Sequence, residues 1–136
     1  MKRMTREWVR KAENDFVAAR KLLRGKDPLH DQACFFFQQC AEKYLKGLIE
    51  EAGLSVPYTH LLKDLLTLLR PHHPSLGLLR RGLVFLTRFA VGTRYPGDNA
   101  SRRQARAAAR WAEQVRAAAR VLLGLPVAPA RRKKSP

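Results

Sequence analysis

Four polar side chains recur on one side of residues 35–46, which read FFFQQCAEKYLK. On a helix Gln39, Glu42, Lys43 and Lys46 fall within an arc of about 100°. Amide, carboxylate and ammonium groups on one face could together bind a phosphorylated ligand. The alternative is an ordinary solvated face, on which Glu42 pairs with Lys46 four residues later and adds about 0.3 to 0.5 kcal/mol.

Two later segments carry further candidates. His60, which follows Thr59, could hydrogen-bond a phosphate or transfer a proton near neutral pH, because histidine titrates in that range. A structural histidine near a helix start is the alternative. Arg94 could pair with a phosphate, and Tyr95, in the turn 94–99, could stack on a base. Arg94, Tyr95 and His60 are therefore the catalytic candidates, and Arg94 and Tyr95 also join the candidate ligand-binding residues.

Other common active-site patterns are missing from the sequence. It has no Walker phosphate loop, no dinucleotide-binding glycine fingerprint and no serine-hydrolase elbow. His72 and His73 are adjacent, which is poor spacing for two ligands on one metal ion. We therefore expect no cofactor and no metal site.

Apolar residues at helical spacing, interrupted by glycine and proline, predict an all-α chain. Thr5 is the expected cap of the first helix, Asp27-Pro28 the expected start of a long second helix, and Ser75 the expected cap of the fourth. The result is an antiparallel, up-and-down four-helix bundle with an additional short helix. The predicted helices are residues 5–25, 28–52, 60–69, 75–92 and 100–123.

The last predicted helix has one arginine-rich side. The arginines repel one another at spacings of three and four residues, and each such pair costs a few tenths of a kcal/mol. A bound anion would offset this repulsion, so we consider this side a candidate nucleic-acid face. The alternative is a solvated surface whose arginine stems cover apolar neighbours. The face consists of Arg102, Arg106, Arg110, Arg116 and Arg120.

Composition predicts one domain and a polyanionic partner. The 136 residues are enough for a single core, which we place at 1–125, and residues 126–136 are predicted to be a disordered basic tail. The 27 Lys and Arg against 11 Asp and Glu give a net charge of +16, which favours RNA, DNA or an acidic protein. A generally basic proteome would produce the same excess without such a partner.

No stretch approaches the roughly 20 apolar residues that span a bilayer, and no signal-peptide core follows Met1. We therefore expect a cytoplasmic protein with no membrane partner. Cys34 and Cys40 lie on different sides of the predicted helix, so both are expected to be buried free thiols.

Four segments in this order resemble the HEPN domain family, named for nucleotide binding in higher eukaryotes and prokaryotes. They are the opening helix with Trp8, the 38–46 block, the Thr59-His60 segment and the Arg94-Tyr95-Pro96 turn. The resemblance implies a helical bundle, a homodimer and a minimal nucleotidyltransferase as partner. It also implies a role in a toxin and antitoxin pair and binding of nucleotide or RNA.

Family members with RNase activity are recognised by an arginine, four to six residues and a histidine at the start of the last helix. Arg94 occupies that region, but no histidine follows it. Arg24 and His30 have this spacing, but they lie between the first two helices and not at the last helix. We therefore interpret the match as coincidence. The sequence thus favours a non-catalytic binding module. Two alternatives stay open: a divergent, metal-independent RNase toxin using Arg94, Tyr95 and His60, and non-specific nucleic-acid binding by the arginine face.

Overall fold

The computed structural model describes residues 1–91 and 95–128, and within them the chain is helical and contains no strand. The predicted all-α bundle is confirmed. A short 3₁₀ helix, Pro74–Leu79, precedes the fourth α-helix. The α-helices are α1 (Arg3–Leu22), α2 (His30–Glu51), α3 (Leu62–Leu69), α4 (Arg80–Thr87) and α5 (Arg102–Leu122).

Helix α2 forms the centre of the bundle and contacts every other α-helix. Its apolar side is fully buried, because residues three and four apart lie on one face and that face meets α1 and α5. The rings of Phe37 and Phe16, on α1, pack edge to face with centroids 6.1 Å apart. This core holds the polar side chains of α2 in fixed positions.

The first helix begins before its predicted cap. Thr5 lies inside α1 and is buried, and its hydroxyl donates to Oε1 of Glu51 at 2.8 Å. The backbone N–H of Lys2 donates to the same oxygen at 2.9 Å. The prediction that Thr5 caps α1 is wrong, because the side chain bonds to the end of α2 instead of to its own helix.

The second helix begins later than predicted. The N–H of Leu29 donates to the carbonyl of Leu22 at 2.8 Å, which closes the turn after α1 and leaves Pro28 outside α2. Asp27 is therefore not the cap of α2, which begins at His30.

The predicted fourth helix is divided. Ser75, its expected cap, lies within the 3₁₀ helix, and α4 ends at Thr87. Helix α4 lies very close to α5 at Gly82, where a Cβ atom would stand 2.0 Å from the Trp111 ring. A glycine is required there because the indole occupies the space of a side chain.

The chain after α5 folds back along that helix. The N–H of Leu125 donates to the carbonyl of Arg120 at 2.8 Å, and the carbonyls of Pro126 and Val127 accept hydrogen bonds from arginine side chains. The start of the predicted tail is thus in contact with α5, while residues 129–136 lie outside the described residues. No described helix is long and apolar enough to cross a membrane.

Candidate functional site

Glu42, on α2, is the centre of a hydrogen-bonded network. Its Oε1 accepts from Nε2 of Gln38 at 3.0 Å and lies 2.9 Å from Nδ1 of His60. Its Oε2 accepts from Nζ of Lys46 at 3.1 Å. Gln38 and Lys46 precede and follow Glu42 by four residues, so α2 itself places them on either side of the carboxylate. His60 comes from the loop before α3.

This network is buried. The alternative prediction, that this side of α2 is an ordinary solvated face, is therefore wrong for the residues at the centre of the network. Glu42 is 4% exposed, Lys46 is 7% exposed, and Gln38 is fully buried. Nζ of Lys46 lies 5.8 Å from the ring centroid of Trp8 and 5.9 Å from that of Tyr58. Both contacts are within the range of cation–π attraction. Lys46 is thus held by a carboxylate and two aromatic rings.

The environment of Glu42 favours its charged form. Burial raises the pKa of the carboxyl group, but hydrogen bonds from His60, Gln38 and Lys46 and the charge of Lys46 outweigh that effect. The net pKa lies below the ordinary 4.5. Glu42 is therefore an anion at neutral pH.

The other two predicted binding residues of α2 also have partners inside the protein. Nζ of Lys43 lies 2.5 Å from Oδ2 of Asp15 on α1. Gln39 is half-buried and donates to Oε1 of Gln38 at 2.7 Å. The block 38–46 therefore forms internal contacts, and it does not present an open face of free lysines.

The exposed edge of the network is formed by Tyr58 and His60. The Tyr58 side chain is fully exposed, and 59% of the His60 side chain is exposed although Nδ1 faces Glu42. Sequence reasoning overlooked Tyr58 and Gln38. Tyr58 follows Pro57 directly before the Thr59-His60 motif, and Gln38 lies one helical turn before Glu42, so both positions were visible in the sequence. Tyr95 is 66% exposed, and Arg94 lies outside the described residues.

The predicted arginine face is not continuous. Arg102, Arg106 and Arg110 are exposed, whereas Arg116 is only 3% exposed and Arg120 is half-buried. The prediction is wrong for the last two because their side chains turn inward to Glu13 and Tyr44, and the carbonyls of Pro126 and Val127 lie over them.

Arg116 and Arg120 belong to an internal cluster around Glu13. Nε and Nη2 of Arg116 donate to the Glu13 carboxylate, the hydroxyl of Tyr44 donates to it as well, and Nη1 of Arg120 donates to that hydroxyl at 3.0 Å. Burial raises the pKa of Glu13, but the hydrogen bonds from Arg116 and Tyr44 and the two arginine charges lower it below 4.5. This cluster joins α1, α2 and α5.

Comparison with known protein families agrees with the helical fold and with the resemblance noted in the sequence. The HEPN domain model matches residues 5–122, which is most of the chain. The chain belongs to the HEPN family. It is similar to the crystal structure of ST0689, an archaeal HEPN homologue, with a TM-score of 0.73 and 27% identity over 90% of this chain and 99% of that one.

This HEPN domain is also similar to the crystal structure of TT1696 from Thermus thermophilus. The TM-score is 0.67, and the identity is 27% over 82% of this chain and 91% of that one. None of the curated proteins matches the chain significantly. Family membership supports a nucleotide-binding or RNase-like module.

Metal-ligating side chains are not grouped in the described part of this HEPN domain. Within 1–91 and 95–128, no three His, Cys, Asp or Glu side chains lie close enough to hold one metal ion. The Glu42 network offers a buried carboxylate, an exposed imidazole and an exposed phenol ring.

Proposed function

We propose that this HEPN domain is a binding and interaction module without RNase activity, which takes a nucleotide or an RNA end at the edge formed by Tyr58 and His60. The observation that carries the proposal is the contact of 2.9 Å between Nδ1 of His60 and Oε1 of the buried Glu42. It fixes an exposed imidazole beside an exposed aromatic ring.

The chemistry of these two side chains suits a nucleotide. An exposed tyrosine ring stacks on a base without regard to its identity, and each such contact contributes about 1 to 3 kcal/mol. The ring nitrogen of His60 that does not face Glu42 is available to a phosphate or ribose oxygen. Lys46 has little exposed surface, so its role is to support Tyr58 rather than to contact the ligand.

The absence of cleavage is inferred from the sequence. RNA cleavage of the family type uses a histidine after the arginine that precedes the last helix, and no histidine follows Arg94. Purified protein is expected to leave transfer RNA and single-stranded RNA intact.

Binding can be tested by titrating the protein with nucleoside mono-, di- and triphosphates and short RNA, using calorimetry. Y58A and H60A are expected to weaken binding about tenfold or more, since each removes a direct contact. Y95A removes the second exposed tyrosine, which is also a candidate ligand-binding residue, and shows which of the two tyrosines contacts the ligand. Loss of binding in Y95A with unchanged binding in Y58A would place the site elsewhere and reject this proposal.

The partners follow from the family resemblance. We propose a homodimer that associates with a minimal nucleotidyltransferase, as one member of a pair resembling a toxin and antitoxin. Affinity purification from the native host should recover a nucleotidyltransferase, and light scattering should give twice the chain mass. Recovery of the chain alone, as a monomer, would contradict both proposals.

A divergent RNase is the second candidate, because Glu42 orients His60 as a carboxylate orients a catalytic base. Arg94 and Tyr95 would supply the remaining groups. This candidate function predicts RNA cleavage that chelators do not affect. H60A and E42Q should both reduce the cleavage rate. Intact RNA after prolonged incubation, with no growth arrest on expression, excludes it.

A further inference from the structure

A basic site lies near the N-terminal end of α2, away from the Glu42 network. A cavity of about 350 Å³ opens between the turn that follows α1 and the start of α5. Lys26, His30, Arg102 and Arg106 line it, with Leu23 and Pro28 among its apolar walls. His30 precedes Glu42 by twelve residues on α2, which corresponds to about 18 Å along the helix. The cavity is thus separate from the Glu42 network.

The cavity continues into a groove along α5. Arg102, Arg103, Arg106 and Arg110 line this groove, which has a volume of about 500 Å³. Arg102 to Arg110 spans about 12 Å at 1.5 Å per residue. The cavity and groove share Arg102 and Arg106, so they form one continuous basic surface, which we call the α5 groove.

The arginines of the α5 groove lie where the helix dipole and the repulsion between like charges are both unfavourable. Arg102 and Arg103 lie in the first turn of α5, which contains no acidic residue, and cations are unfavourable at that end of a helix. Arg106 follows them at spacings of four and three residues, so the charges also repel one another. Among residues 1–91 and 95–128, the guanidinium groups of these four arginines have no hydrogen-bond or ion-pair partner.

The framework of the groove is held by other contacts. The side chain of Ser101 and that of Gln104 cap the start of α5 reciprocally, with distances of 3.0 and 2.9 Å. Oδ1 of Asp31, next to His30, accepts from the N–H of Ala100 at 2.6 Å. The arginines are therefore not needed to hold α5 in place. Asp27 is the nearby acid in the turn, and it is exposed.

We propose that the α5 groove binds the phosphate backbone of a nucleic acid, with one phosphate in the cavity beside Lys26 and His30 and the following phosphates along α5. A line of cations about 12 Å long suits consecutive phosphates better than a single free anion. This inference rests on the proposed function and deepens it, because it adds a contact for the RNA backbone to the contact of a nucleotide or RNA end with Tyr58 and His60. The proposed function and the α5 groove proposal can be rejected independently, because the nucleotide titrations that test Tyr58 and His60 do not involve α5.

The test measures binding of a fluorescent single-stranded RNA to the full chain at several salt concentrations. The variant R102Q/R106Q is compared with R6Q/K11Q, which removes the same charge from exposed positions on α1. R102Q/R106Q is expected to weaken binding about tenfold at low salt and to lower the salt slope by about 1.4, because each lost phosphate contact removes about 0.7. R6Q/K11Q should change affinity by less than about twofold, since it leaves the phosphate contacts intact.

A stability measurement provides a second readout. Because the arginines repel one another and oppose the helix dipole, R102Q/R106Q and the single variant R110Q should melt at the wild-type temperature or about 2 °C above it. Equal weakening of RNA binding by both double variants would overturn the proposal, as would a marked fall in melting temperature. Polyglutamate of matched charge binding as tightly as RNA would also overturn it, in favour of an acidic protein.

Discussion

Arg116 on α5 binds both carboxylate oxygens of Glu13 on α1, with Nε to Oε2 and Nη2 to Oε1 distances of 2.9 and 2.6 Å. The two residues are 103 positions apart in the chain. Charge-assisted contacts of this two-point kind are among the stronger hydrogen bonds in proteins. The pair therefore closes the bundle by joining its first and last helices.

Replacing Glu13 by Gln should destabilise the protein by about 3 kcal/mol, because it leaves the buried guanidinium of Arg116 without a counter-charge. Chemical denaturation gives the change in unfolding free energy. E113Q is the matched control, since Glu113 is exposed on α5, and it should cost little. Equal losses in the two variants would show that the ion pair contributes nothing specific.

Stability should fall as the solution is acidified below about pH 4.5. The pKa values of Glu13 and Glu42 are lower in the folded protein than the ordinary 4.5. Their contribution is therefore complete above pH 4.5 and is lost as the pH falls through the folded pKa values. Unfolding free energies measured from pH 7 to pH 3 should decline less steeply in E13Q and E42Q. Parallel curves for the wild type and both variants would refute this assignment.

The Glu42 network should behave as one unit in a double-mutant cycle. E42Q removes the charge partner of the buried Lys46 and should cost about 3 kcal/mol. The double variant E42Q/K46M should cost less than the sum of the single changes, because no unpaired charge is left. Strictly additive losses would mean that the two residues do not interact.

Substituting Gly82 by Ala should destabilise the bundle by about 2 kcal/mol, because the new Cβ overlaps the Trp111 ring at 2.0 Å. G77A is the control, since its Cβ would meet only the side chain of Arg70 at 3.6 Å. Thermal melts of both variants provide the measurement. A G82A protein as stable as the wild type would show that α4 and α5 can separate without cost.

The two cysteines should resist alkylation in the native state. Both are fully buried, and burial, with the charge of Asp31 adding to it, raises the pKa of the Cys34 thiol to about 12. Burial also raises the pKa of Cys40 well above its ordinary value. Iodoacetamide at pH 8 should modify neither thiol until denaturant is added, because only the thiolate reacts. Rapid native labelling of either cysteine would contradict its buried position.

Much of the fold was predictable because helix periodicity and chain breakers are local properties. The apolar stripe of α2, with Phe37, Tyr44 and Leu48, predicted the buried side of that helix correctly. The helix starts at Thr5 and Asp27 were predicted wrongly. The prediction assumed that the hydroxyl of Thr5 bonds to the backbone of its own helix. In the structure it bonds to Glu51, 46 positions away.

The sequence by itself determined the helical class, the family resemblance and the grouping of charged residues on particular helix faces, because spacing along a helix requires no knowledge of its neighbours. Only the tertiary structure decided which of those charges meet solvent. Lys43, Lys46 and Arg116 lie on helix faces that the sequence predicts to be polar, yet each one meets a carboxylate within the protein. The exposed arginines of the α5 groove lie in the first turns of that helix, where no acidic side chain from another described helix reaches them.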